Sequence, residues 1–303
     1  MDGSVVGARA WNGQRRRHAV IAAVIAAIVA VAMALAVVPA DAGWAAPVVA
    51  GKPSKPGGGG GGGGGGSQEP AYIALGDSFA AGVGADSYLD TSCYRSSKSY
   101  PKLLDADADK RLVAFLACSG ANTSAVVTQS AGMPSGAALV TVTVGGNDVG
   151  FADVMQNCFV LVTSTCAAKI ATASSIATSD AFAANVAAVI AAIRSKAPTA
   201  RIVVTGYPQL FWEDPNTHAN PKYAWADEVN AQTLVLNAAI KRVAEANGAT
   251  FADVVTQFAG HGIGSSQPWI NDWSWFRTTN GFHPNAAGYV AYAGAIRGVI
   301  SGG

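Results

Sequence analysis

Ten consecutive glycines, Gly57–Gly66, set the first limit on what this 303-residue chain can fold into. A run without side chains buries no apolar surface and offsets none of its backbone entropy, so it cannot belong to a packed core. With the preceding Lys52-Pro53-Ser54-Lys55-Pro56 it makes residues 43–68 a flexible tether. It is not a phosphate loop, because no strand precedes it and no Gly-Lys-Ser/Thr ends it. The polypeptide is thereby cut into a short N-terminal segment and about 235 residues, 69–303, that can build one sizeable core.

The N-terminal segment has its own logic. Arg15, Arg16 and Arg17 precede the uncharged stretch Ala19–Val38, and Ala40-Asp41-Ala42 follows it. A basic start, an apolar middle and a small-x-small end read as a secretory signal over residues 1–42, cleaved after Ala42. The alternative is an uncleaved anchor, since twenty apolar residues just span a bilayer. The arginines also permit twin-arginine export, though the rest of that motif is not evident. Cleavage leaves 16 basic and 17 acidic residues, a net charge of about −1. That balance gives no footprint for nucleic acid and no polybasic patch for anionic lipid. No stable membrane span is expected after cleavage, and the expected assembly is a monomer.

Cys93, Cys118, Cys158 and Cys166 all lie in the exported part, where an even count favours two disulfides. Three pairings exist. Cys158 and Cys166 are near neighbours and pair most simply with each other, which leaves Cys93 with Cys118. No CxxC occurs and the four histidines, His18, His218, His261 and His283, are scattered, so no metal is expected.

From Ala71 onward short apolar runs appear at Tyr72–Leu75, Leu112–Leu116, Ala138–Val144, Ile202–Thr205 and Thr250–Val254. Each is bounded by Gly, Asp or Pro and reads as a buried strand. Helical periodicity lies between them. Phe182, Val186, Val189, Ile190 and Ile193 recur at three and four behind a Ser179 or Asp180 cap, in a helix ending near Ala197-Pro198. A second helix spans about Ala226–Ala246, and a third is expected from Pro284 to just before Ser301. Strands alternating with helices imply a parallel sheet covered on both faces, with chemistry at the carboxyl ends of its strands.

Those ends carry the informative residues. The first strand ends in Gly76-Asp77-Ser78, which places a serine hydroxyl at the sheet rim over the positive end of a helix. The second ends in Cys118-Ser119-Gly120-Ala121-Asn122, where a glycine lets a backbone N–H approach a ligand. The third ends in Gly145-Gly146-Asn147-Asp148, with an amide donor at the rim. Gly281-Phe282-His283-Pro284 holds a histidine at a loop–helix junction. Each motif alone fits a cap, a turn or a surface residue equally well.

Together the four resemble the GDSL or SGNH hydrolase family, whose named residues Ser78, Gly120, Asn147 and His283 match in order over about residues 70–300. The resemblance implies a three-layer α/β/α, flavodoxin-like fold around a parallel sheet of about five strands, and hydrolysis of acyl esters without a cofactor. It assigns Ser78 as nucleophile, His283 as general base, and the Ser78 and Gly120 N–H groups with the Asn147 amide as oxyanion hole. The cysteine order is also similar to that of secreted actinobacterial lipases, some of which carry a third disulfide that this chain lacks. One departure stands out. Asn280 occupies the position, three residues before the histidine, where the family usually has an aspartate. The expectation is therefore a Ser–His dyad in which the backbone carbonyl of Asn280 orients the imidazole. Asp272 is the competing partner.

The substrate expected first is a lipid ester, with carbohydrate O-acetyl groups as the enzyme alternative and a non-catalytic tethered binding domain as the alternative of another class. Trp269, Trp273, Trp275 and Phe276 either line an acyl pocket or pack the last loop onto the core.

Overall fold

The computed structural model describes residues 69–213 and 220–302. The proposed signal and tether, residues 1–42 and 43–68, lie outside the described residues.

Five strands form one parallel sheet: β1 (Ala71–Gly76), β2 (Arg111–Phe115), β3 (Leu139–Thr143), β4 (Arg201–Thr205) and β5 (Thr250–Ala252). Their order is β2-β1-β3-β4-β5, so the chain reverses its direction of growth between β1 and β3. In open α/β sheets such a switch point opens a crevice beyond the strand ends. The register runs from Tyr72 opposite Leu139 to Gly76 opposite Thr143, which brings the ends of β1 and β3 level. β3 is buried throughout, as expected for a strand covered on both faces. Its threonines are paired rather than wasted. Thr141 Oγ1 meets the Tyr72 hydroxyl at 2.7 Å and Thr143 Oγ1 meets Thr205 Oγ1 at 2.7 Å.

Helices cover both faces. On one lie α3 (Thr123–Ala131), α5 (Cys166–Ala177), α6 (Asp180–Lys196) and α7 (Ala226–Ala246); on the other α2 (Tyr100–Asp105) packs beside α9 (Ala286–Ser301). Short helices complete the order: α1 (Ser78–Ala81), α4 (Phe151–Met155), which runs on into a π turn at Gln156–Val160, and α8 (Val255–Phe258). This is the three-layer arrangement read from the strand–helix alternation. Ser179 caps α6 by accepting the Phe182 N–H, and α7 has the bounds its periodicity indicates. The last helix begins later than expected. Asn285 caps it through the Gly288 N–H, while Pro284 pairs in an isolated bridge with Ile270 instead of opening the first turn. Among the described residues no single helix is long and apolar enough to cross a membrane.

Two disulfides are present, Cys93–Cys118 and Cys158–Cys166. The first closes a 25-residue separation, worth about 3 kcal/mol on the chain-entropy model. It also ties down the end of β2, where the Ser119 N–H donates to the Cys93 carbonyl.

Candidate active site

The sharp turn after β1 depends on Gly76. Its φ is +129°, and a Cβ there would stand 2.3 Å from the Thr143 carbonyl oxygen, so only glycine lets β1 run this close to β3. The Gln129 side chain from α3 clamps the same residue, accepting its N–H at 2.8 Å and donating to its carbonyl at 2.9 Å. Asp77 then caps α1 by accepting the Phe79 N–H at 3.0 Å. Ser78 is thereby placed as the first residue of a helix at the sheet rim, only 8% exposed.

Ser78 Oγ lies 2.8 Å from His283 Nε2. The two residues are 205 positions apart, and several contacts bring their loops together. Asn271 Nδ2 donates to both the Gly84 and the His283 carbonyls, at 3.1 and 2.9 Å, while the Tyr289 hydroxyl of α9 donates to the Val83 carbonyl. Just before His283, Phe282 holds a φ of +62°, a conformation costly for a bulky residue and maintained by the burial of its ring. The strain aims the histidine at the serine.

The other imidazole nitrogen corrects the expectation about residue 280. His283 Nδ1 is hydrogen-bonded to the Gly281 carbonyl at 2.9 Å. The Asn280 carbonyl instead accepts the His283 backbone N–H and closes the turn. The Asn280 side chain points elsewhere, accepting from the Tyr88 hydroxyl and donating to Asp86. Asp272 is engaged away from the histidine, paired with Lys222 and accepting the Tyr223 hydroxyl at 2.8 Å. A backbone carbonyl thus takes the place of an acid, one residue later than expected.

His283 packs between Phe79 and Phe151, with ring centroids 5.1 and 6.1 Å away. This apolar setting disfavours the imidazolium and pushes its pKa down to about 4, against a smaller upward pull from the Gly281 carbonyl. A base must be neutral to take the serine proton, so activity is lost as pH falls through this value. The acid limb of kcat/KM on a soluble ester is therefore expected near pH 4. A limb centred at the ordinary 6.5 would mean that the ring is solvated.

Gly120 and Asn147 lie in the loops that follow β2 and β3. Gly120 has a φ of +81° with open space on its Cβ side. Asn147 Nδ2 donates to the Ala121 carbonyl at 2.9 Å, which joins the β2 and β3 loops. Asp148 braces the arrangement by accepting the Thr123 N–H and hydroxyl.

One pair of residues escaped the sequence reading. The buried Asp77 carboxylate accepts the Tyr207 hydroxyl at 2.5 Å, and that hydroxyl accepts the Gly146 N–H at 2.9 Å. Burial pushes the Asp77 carboxyl up to about 7, opposed by the hydrogen bonds from Tyr207 and the helix N–H groups. The chain Gly146–Tyr207–Asp77 couples the loop carrying Asn147 to the turn carrying Ser78. Tyr207→Phe strands a buried donor and weakens a buried acceptor, a loss of about 1–3 kcal/mol. It is expected to lower kcat about tenfold with KM little changed, read from steady-state kinetics beside a melting curve. A signal existed in the sequence, since Gly206-Tyr207-Pro208 stands at the end of β4 as Gly76-Asp77-Ser78 stands at the end of β1.

The tryptophan cluster divides. Trp269 stacks on His261 at 3.6 Å and Trp273 lies against Phe282, both as packing, while Trp275 and Phe276 are exposed. Among the described residues, no group of three or more His, Cys, Asp or Glu side chains converges as a metal site.

Comparison with known proteins places this geometry. Residues 74–291 match the GDSL-like Lipase/Acylhydrolase family. Lipase 1 of Streptomyces coelicolor is 40% identical over 220 residues, covering 72% of this chain and 81% of that protein. The crystal structure of an extracellular lipase from Streptomyces rimosus is similar with a TM-score of 0.71 at 38% identity, covering 76% of this chain and 99% of that one. A phospholipase A1 from Streptomyces albidoflavus gives 0.70 at 34% identity, with the same shares covered.

Proposed function

The chain belongs to the GDSL-like lipase/acylhydrolase family and is a carboxylic ester hydrolase; from that premise we propose an exported lipid esterase working through a Ser78–His283 dyad. The observation that carries the reading is the 2.8 Å hydrogen bond between Ser78 Oγ and His283 Nε2. Ser78 Oγ attacks the ester carbonyl carbon as its proton passes to Nε2. The carbonyl oxygen becomes an oxyanion held by the Ser78 and Gly120 N–H groups and the Asn147 amide. Collapse breaks the bond to the alcohol oxygen, which takes the proton from His283 and leaves. Water then attacks the acyl-enzyme carbon, giving its proton to His283, and the carboxylic acid departs as Ser78 regains its hydroxyl. The Gly281 carbonyl fixes the imidazole tautomer and ring plane and stabilises the imidazolium with a dipole in place of a charge.

Export follows from the proposed signal, with cleavage after Ala42 and the glycine tether separating the new terminus from the catalytic domain. Lipid is favoured as substrate by the similarity to lipases and a phospholipase A1. The test is a rate series on p-nitrophenyl esters, a dispersed phospholipid and acetylated xylan, with fluorophosphonate labelling of Ser78. Labelling, with phospholipid turned over faster than xylan, is expected. Preference for acetylated xylan would replace lipid with carbohydrate, and no labelling would overturn the dyad.

A further inference from the structure

Eight large hydrophobic side chains stand exposed among the described residues, and five of them fall on three segments. Trp275 and Phe276 sit on the loop that ends at His283, 69% and 97% exposed. Leu161 and Val162 sit inside the loop closed by Cys158–Cys166, and Leu89 sits on the loop 82–99 that leaves α1. A single exposed apolar residue needs no explanation, but a set gathered around one site does. The three segments touch one another next to the catalytic pair. The Phe159 ring of the disulfide loop lies 5.9 Å from the Phe282 ring, and Asp86 of the loop after α1 accepts from Asn280 and pairs with Arg277.

The exposed tips are held in place. Backbone bonds from Phe282 to Asn271 and from Asn271 to His283, at 2.8 and 2.9 Å, close the neck of the loop that carries Trp275 and Phe276. Trp275 rests edge-on against Trp273, which lies nearly parallel to Phe282, the residue before His283. In the disulfide loop the Asn157 side chain accepts the Thr163 and Thr165 hydroxyls. Val162 is kept there at a φ of +49°, a conformation costly for a β-branched residue, with its side chain left to solvent.

Charge and shape select what covers these side chains. Asp86, Asp90 and Asp272 balance Arg95, Lys98 and Arg277 on the two longer segments, and residues 159–165 carry no charge. A balanced surface offers nothing to a polyanion and suits a zwitterionic layer. Phe276 stands clear of its own fold, so a rigid partner would need a pocket cut for it, whereas a fluid acyl layer opens around any side chain. Trp and Phe are residue types that settle at such a boundary. Sugar rings could stack on Trp275 but would leave Leu89, Leu161 and Val162 without a role. We propose that these five side chains form a docking platform, which enters a zwitterionic phospholipid surface and sets the Ser78–His283 site against it. The choice of partner rests on the lipid-ester reading, but docking itself needs no turnover.

The test uses the exported protein and vesicles of ether-linked phosphatidylcholine, which has no ester to cleave. The parent is expected to float with them equally well at low and high salt. Trp275→Ser/Phe276→Ser should weaken partitioning by tenfold or more, since burial of one such ring is worth at least about tenfold. At limiting lipid, hydrolysis of ester-linked phosphatidylcholine vesicles should fall by the same factor, while kcat/KM on monomeric p-nitrophenyl acetate stays within twofold. Val162→Asn should weaken partitioning severalfold without lowering the melting temperature, because asparagine tolerates a positive φ.

A parent that stays in solution, partitioning that appears only with anionic lipid and vanishes in salt, or a Trp275→Ser/Phe276→Ser protein that binds like the parent would overturn the platform. A parent dimer that dissociates on the same substitutions would overturn it too, by making a second copy the occupant, as would retention on acetylated xylan in place of vesicles. A parent inert toward every ester that still docks overturns the esterase reading and leaves the platform standing.

Discussion

Ser78→Ala and His283→Ala are each expected to lower kcat on a soluble ester by roughly 10⁴–10⁶, and the double variant to be no slower than the worse single one. The reason lies in the contact between the two groups. The serine hydroxyl is a poor nucleophile until Nε2, 2.8 Å away, takes its proton, and the imidazole has nothing to deprotonate once that hydroxyl is gone. Removing either removes one function, so the second loss finds nothing left to reduce. What remains comes from binding and the oxyanion donors, which neither substitution touches. The structural costs of the two differ. Ser78→Ala deletes one oxygen from the first turn of α1, and its melting temperature should barely move. His283→Ala empties a space between Phe79 and Phe151 and should cost stability, so its fold needs checking by circular dichroism before its rate is read. Turnover within tenfold of the parent for folded Ser78→Ala would remove that residue from its role. Additive losses in the double variant would mean that the two side chains act in separate steps.

The strands were legible because a parallel sheet covered on both faces needs continuous apolar runs, and the runs read at 72–75, 138–144 and 202–205 fall on β1, β3 and β4. The helices α6 and α7 were legible from their single apolar stripe. By contrast α3 and α5 passed unread. Their sequences, Thr123–Ala131 and Cys166–Ala177, consist largely of Ala, Ser, Thr and Val, which sit on either face of a helix and leave no periodic contrast. At the site, Ser78, Gly120, Asn147 and His283 drew notice because each stands at an element end where only a few residue types do chemistry, and the structure brings Ser78 and His283 within hydrogen-bond distance. The partner of His283 was not. A side-chain pattern says which groups a loop carries, but it does not say where a backbone carbonyl points. That depends on the left-handed turn at Phe282, fixed by Trp273 and the Asn271 bonds from the same loop and by Phe159 from far along the chain. Asp77 and Tyr207 were missed for a related reason. Their importance is a contact across 130 residues, between the ends of two strands that are not even neighbours in the sheet.

Asn147→Ala is expected to reduce kcat by about 10²–10³ and to change KM much less, the signature of a donor that serves the transition state. In the ground state the ester carbonyl oxygen carries little charge, and a missing amide donor is a small loss. In the tetrahedral state the oxygen carries a full charge, and a fixed donor in an enclosed site is worth about 3–4 kcal/mol. Asn147 is fixed in advance because one of its amide hydrogens already donates to the Ala121 carbonyl. That second bond complicates the alanine result, since losing it also loosens the loop that carries Gly120. Asn147→Asp separates the two effects. Its carboxylate has the same size but can neither donate to Ala121 nor tolerate an adjacent oxyanion. It should therefore fall at least as far as alanine in kcat at neutral pH. If the role of Asn147 were only to tie the two loops, alanine and aspartate would instead raise KM and lower the melting temperature together, with kcat near that of the parent. Steady-state constants for both variants on one soluble ester, measured beside their melting curves, decide between an oxyanion donor and a loop tether.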